Sequence, residues 1–169
     1  MKNWMGFLAL ATAVSCQESD SVAVADFTGN EMVFALDQAS DFNVSGTATF
    51  KERVDGTALV LIVLQGTEGE AKLPAHLHLG DIKTPDADIA VLLNPVVATS
   101  GISETSVTKL ADDRQVTYQE LLQLEASIKI HLSDTGPERD IILAGGNVGM
   151  LATKTVPGGR VGMAVCKSE

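Results

Sequence analysis

The stretch Pro74-Ala75-His76-Leu77-His78-Leu79-Gly80-Asp81 decides how the rest of the chain is read. It carries two of the chain's three histidines, spaced i and i+2. Apolar residues alternate with others, the mark of a strand with one buried face. Ala75, Leu77 and Leu79 fall on one face, so His76 and His78 project from the other. The third histidine lies in Ser127-Ile128-Lys129-Ile130-His131-Leu132, where Ile128, Ile130 and Leu132 share a face opposite Ser127, Lys129 and His131. All three histidines therefore belong to the polar sides of their strands. If the two strands are neighbours, three imidazoles converge on the outside of a sheet, a geometry that suits a metal ion.

Outward from these two strands, the chain reads as short strands broken by turns. Met32–Leu36 opens the series, and Asn43–Arg53 leads to the turn signal Asp55-Gly56. Thr57–Gln65 returns as a dense Val, Leu and Ile run, so Asp55-Gly56 is expected to close a hairpin. A turn over Gly66-Thr67-Glu68-Gly69-Glu70 precedes the His76/His78 strand, and a loop from Asp81 to Asp88 follows it. Ile89–Val97 is a strand interrupted by Asn94-Pro95, because proline cannot donate to a central ladder. Another strand is expected within Gly101–Leu110.

Tyr118–Glu125 departs from the alternation and reads as one short helix, with Thr117 as N-cap and Glu120 three residues on. Tyr118 is expected to keep its hydroxyl at a wet edge. Ile141–Ala144 and Val161–Cys166 are the last strands, with glycine-rich turns at Gly145-Gly146-Asn147 and Pro157-Gly158-Gly159. The expected fold is all-β, an antiparallel Greek-key sandwich or barrel with one short helix.

The N-terminus reads as a separate segment. Met1-Lys2-Asn3 is a short basic start, and Trp4–Val14 is apolar but too short to span a bilayer. The run ends at Ala13-Val14-Ser15-Cys16, which resembles a bacterial lipobox in which Cys16 is lipidated. Residues 1–15 are then a lipoprotein signal peptide, 16–29 a lipid-anchored polar tether and 30–169 the folded domain. The expected location is the bacterial cell envelope, with the membrane reached only through the anchor. The plainer alternative is an ordinary secretory signal, which leaves a Cys16–Cys166 disulfide open.

Charge narrows the partners. Twelve Lys and Arg against twenty-two Asp and Glu give a net charge of −10, which argues against nucleic acid and against anionic membrane surfaces. Aromatic residues make up only 4% of a chain that is 45% hydrophobic, so the core must be built from aliphatic side chains. No G-x-S-x-G elbow, phosphate loop or Cys/His pair supports hydrolytic or nucleotide chemistry. Asp81, Asp86 and Asp88 lack the spacing of an EF-hand.

Three motifs in order carry a resemblance. Ala75-His76-Leu77-His78-Leu79-Gly80, Ile130-His131 and Leu143-Ala144-Gly145-Gly146-Asn147-Val148-Gly149, preceded by Val44-Ser45-Gly46-Thr47-Ala48, resemble the CHRD domain (named for chordin). They also resemble its relative, the copper/zinc superoxide dismutase-like β-sandwich superfamily. The resemblance spans about residues 30 to 150. It implies that His76, His78 and His131 occupy the places of copper ligands. It also shows what is missing: with three histidines there is no bridging histidine and no zinc set. Ile142 stands where the dismutases have an arginine that guides superoxide, and Gly145 replaces their disulfide cysteine.

The expected function is a non-catalytic binding module of an extracytoplasmic lipoprotein, with copper or zinc at His76, His78 and His131. A protein partner is expected that the sequence does not name. Asp81 is read first as a turn residue at the strand end, with a fourth ligand or a partner orienting one imidazole as the alternatives, and Met150 and Met163 are core filler rather than Cu(I) ligands. The alternatives are a divergent copper-only, superoxide dismutase-like redox enzyme, and a cell-surface interaction module in which the three histidines hold no metal.

Overall fold

A computed structural model describes residues 26–155. The leader segment 1–15, Cys16, the start of the tether, the Pro157-Gly158-Gly159 turn, the Val161–Cys166 strand, Met163 and Cys166 lie outside the described residues. Strand pairing begins at Phe27, three residues before the boundary read from the sequence.

Eight antiparallel strands close into a barrel. They are β1 (Phe27–Gln38), β2 (Ser45–Arg53), β3 (Ala58–Gln65), β4 (Lys72–Leu79), β5 (Ile89–Val97), β6 (Ile102–Val107), β7 (Glu125–His131) and β8 (Ile142–Gly149). Around the barrel the order is β1-β2-β3-β6-β5-β4-β7-β8. Two helices are short, α1 (Tyr118–Gln123) and α2 (Met150–Thr155), so the expected single helix is joined by a second after β8. A 3-10 turn, Pro137–Asp140, lies between β7 and β8.

The alternation in the sequence becomes the two faces of the barrel wall. In β3, Ala58, Val60, Ile62 and Leu64 are buried in the core, while Val63 on the other face is exposed. The same holds for Phe34 and Leu36 in β1, and for Ala126, Ile128 and Ile130 in β7. Phe34 and Phe50 meet edge to face at 5.1 Å, the geometry that the ring quadrupole favours. The Asp55-Gly56 hairpin forms as the sequence implies. The Asp55 carboxylate accepts from the Thr57 amide at 2.9 Å, and Gly56 adopts φ of 81°.

Proline bends the expectation for β5 without breaking the strand. The β4–β5 register slips between Leu73/Ala75, opposite Asn94-Pro95, so the extra residue absorbs the missing donor. A second slip between Leu77 and His78 leaves Ala90 and Val91 both buried.

The connection from β6 to β7 carries α1, whose Tyr118 amide donates to the Gly56 carbonyl of the β2–β3 turn at 2.9 Å. Thr117 caps α1: its Oγ1 accepts from the Glu120 amide at 3.2 Å, and Glu120 Oε2 accepts from the Thr117 amide at 2.8 Å. Tyr118 is buried rather than at a wet edge, because α1 sinks its Tyr118 and Leu121 side into the core. Burial first, then the charges of Glu52 and Glu31, pushes the Tyr118 hydroxyl's pKa up. Thr117→Ala is expected to cost about 1 kcal/mol of stability, measured as a lower urea midpoint with unchanged slope. No loss would mean that packing alone holds α1.

One turn reading is overturned. Gly145-Gly146-Asn147 is the interior of β8, paired with Ser127, Ile128 and Lys129 of β7. The glycines are there for close backbone approach, not for a turn. Leu79 also departs from its expected face: it is exposed, because β4 ends there and Gly80 turns the chain with φ of 94°.

Candidate metal centre

The two histidine strands are neighbours. β4 and β7 pair antiparallel with His76 opposite Lys129 and His78 opposite Ser127. Ala75, Leu77, Ile128 and Ile130 fill the barrel, so the alternating residues His76, His78, Ser127, Lys129 and His131 lie on its outer face. The three imidazoles converge there, with ring centroids 5.1 Å (His76–His131), 5.6 Å (His76–His78) and 6.1 Å (His78–His131) apart. One ring nitrogen from each histidine lies within 4.8 Å of the other two.

This outer face is less open to solvent than the sequence pattern implies, with His76 and His131 half-buried. Ser127 is fully buried, and Lys129 and His78 are buried too. Residues 80–88 between β4 and β5 reach Lys129 and His78, and residues 132–141 between β7 and β8 reach His131. Each loop supplies a backbone acceptor to one histidine. His78 Nδ1 lies 2.7 Å from the Ala87 carbonyl, and His131 Nδ1 lies 2.8 Å from the Arg139 carbonyl. A carbonyl only accepts, so both Nδ1 atoms carry the proton and both Nε2 atoms present a lone pair. Those two Nε2 atoms are buried and have no hydrogen-bond partner.

The electrostatics keep the rings neutral. Burial lowers the pKa of all three, and that of His76 falls from the ordinary 6.5 to about 4. For His76 the next causes are the neighbouring rings of His131 and His78, then Arg139. His78 and His131 also feel Lys129, although their bonds to backbone carbonyls partly offset the shift.

No family model, curated protein or solved structure matches the chain. The site must therefore be judged on its own chemistry. Two buried, unpartnered nitrogens on adjacent strands are costly unless something occupies the space between them. Neutral imidazoles with lone pairs aimed at one point are the form in which histidine binds a cation. The residues fit a metal ion.

Asp81 holds the turn at the end of β4, as the sequence implies. Its carboxylate accepts from the Lys83 amide at 2.9 Å and from Asn147 Nδ2 at 2.7 Å, and touches no imidazole. These bonds, the Lys83 amide foremost, hold its carboxyl below the usual carboxylate pKa. Met150 opens α2 at the far end of the β7–β8 pair from His131. The carbonyls of Ala87 and Arg139 left no trace in the sequence, because any residue supplies a carbonyl. Lys129 and Asn147 were visible as residues, but their neighbours were not.

Proposed function

We propose that this chain is a CHRD-like, extracytoplasmic lipoprotein whose barrel binds copper or zinc through His76, His78 and His131. The observation that carries this reading is the pair of buried, unpartnered Nε2 atoms, within a trio of ring nitrogens no more than 4.8 Å apart. Nitrogen donors of this kind suit Cu(II) and Zn(II) better than calcium or magnesium, which take oxygen. A bound ion would act there as a Lewis acid with a coordination position left open. The chain's own residues set the donors: Ala87 and Arg139 fix two tautomers, and burial disfavours the protonated rings.

The fold assignment within this reading is a superoxide dismutase-like Greek key. It is supported by the order β7-β4-β5-β6, in which three hairpin-linked strands are joined by a fourth beside the first. Lipidation at Cys16 rests on the residues around it. A binding role rather than a catalytic one is supported by Ile142, which stands where the resembling enzymes guide their anionic substrate. The redox alternative is favoured by the three-donor set with its open position. A rate of superoxide loss with copper-loaded protein no better than that of free copper removes it.

Zinc and copper titrations by calorimetry, wild type beside His78→Ala, test the metal reading. One-to-one binding is expected, weakened at least tenfold by the substitution, or about 1.4 kcal/mol. Absence of binding, or binding that ignores the loss of His78, overturns it.

A further inference from the structure

Loop 80–88 does more than cover the site. It leaves β4 at Gly80, whose amide donates to the Glu125 carbonyl at 2.7 Å, and crosses the outer face of β7 toward β8. There Asn147 grips it twice: the Ile82 amide donates to Asn147 Oδ1 at 2.8 Å, and Asn147 Nδ2 donates to Asp81 Oδ2 at 2.7 Å. The Ile82 side chain lies over Gly145, where an added Cβ would come within 2.7 Å of Ile82 Cδ1. The loop then returns over β7, where Lys129 Nζ donates to the Thr84 carbonyl at 2.8 Å. It ends with the Ala87 carbonyl on His78 Nδ1.

The register explains why this path matters. Asn147 of β8 is opposite Ser127 of β7, and Ser127 is opposite His78 of β4. One row across three strands thus has the loop fastened at one end and the imidazole at the other. His131 takes its acceptor from the other loop, through Arg139.

We propose that the Asn147–Asp81 pair is a positioning device for the histidine centre, acting through loop 80–88 to aim His78. The inference rests on the metal reading for its purpose, but not for its geometry. Asn147 touches no imidazole. It fixes the loop, the loop places the Ala87 carbonyl, and that carbonyl selects the His78 tautomer and ring angle. Supporting groups of this kind typically alter metal affinity by about ten- to a hundredfold.

The test uses substitutions that conserve volume. Asn147→Asp sets a carboxylate against Asp81 and removes the Nδ2 donor. The double variant Asp81→Asn with Asn147→Asp restores a donor to that contact: the new amide at 81 donates to the new carboxylate at 147. That carboxylate can still accept from Ile82, and the net charge returns to that of wild type. Two readouts are taken on the full chain: the imidazole Nδ1 protons by NMR without metal, and Zn(II) affinity by competition with a chelator.

In the single variant the His78 Nδ1 proton is expected to broaden or vanish while that of His131 persists. Zinc affinity is expected to fall at least tenfold, against the pull of the added negative charge, which alone would raise it. The double variant is expected to recover both. Equal effects on the two histidines, an unmoved His78 proton, or no recovery in the double variant would overturn the proposal. If wild type binds no zinc, the metal reading fails, and the NMR comparison still decides whether the pair aims His78.

Discussion

Gly146→Ala is expected to cost about 3 kcal/mol or more of unfolding free energy, a large part of the 5–15 kcal/mol typical of a domain. A Cβ at this position would lie 2.1 Å from the Ala35 carbonyl oxygen and 3.2 Å from its carbon. Both are main-chain atoms of β1, so no rotamer change relieves the clash. This is also the seam at which the barrel closes, where Asp37 pairs with Gly145 and Gln38 with Ala144. Separating β1 from β8 there would leave ladder groups of both strands unpaired. The gain of about 0.4–1 kcal/mol from stiffening the unfolded chain is too small to compensate. Gly56→Ala supplies the comparison. That glycine has φ of 81° with open space around it, so the cost is only the left-handed strain of about 1–2 kcal/mol. Equal urea midpoints for the two variants would show that β1 and β8 are not held so closely.

The same glycine shows what the sequence could not disclose. Gly145-Gly146-Asn147 has the composition of a turn, and turn chemistry is a local signal. The requirement that β1 approach β8 is not local: it depends on a strand more than a hundred residues earlier. Where the governing contact was within a few residues, the sequence was legible. The Asp55-Gly56 hairpin and the Thr117/Glu120 capping box both formed as their spacing implied. The alternation in Ala75–Leu77 and Ile128–Ile130 likewise placed the histidines on the outer face. It could not show that His78 would be buried there. Burial on the outer face is made by loops, and loops carry no periodicity. Asp81 was visible as a polar residue beside the site, but its partner Asn147 was concealed by the turn reading.

Acid should unfold the metal-free protein in two separable steps, the first belonging to the histidines. Between pH 6.5 and about 4 the unfolded chain protonates a residue such as His76, whereas the folded protein keeps it neutral. The unfolded state then binds more protons, so stability falls as pH falls across this window and levels off below about 4. His78 and His131 are shifted in the same direction, burial being the first cause for each, and steepen the slope. The hydrogen-bonded carboxylates act later. Glu52 is held below its ordinary pKa of 4.5, chiefly by Asn30, and Asp55 below 3.8, chiefly by the Thr57 hydroxyl. Their stabilisation is lost progressively as pH falls from those ordinary values through the lowered ones. Urea midpoints measured from pH 7.5 to 3 should therefore show an upper limb that His76→Gln, His78→Gln and His131→Gln together flatten, and a lower limb that they leave alone. An upper limb that survives the triple substitution would mean the imidazoles are protonated at ordinary pH and are not poised as ligands. Zinc adds the complementary result. An ion on the three nitrogens must be displaced before they protonate, so saturating zinc should raise the midpoints and extend the upper limb below about pH 4 in wild type and not in the triple variant.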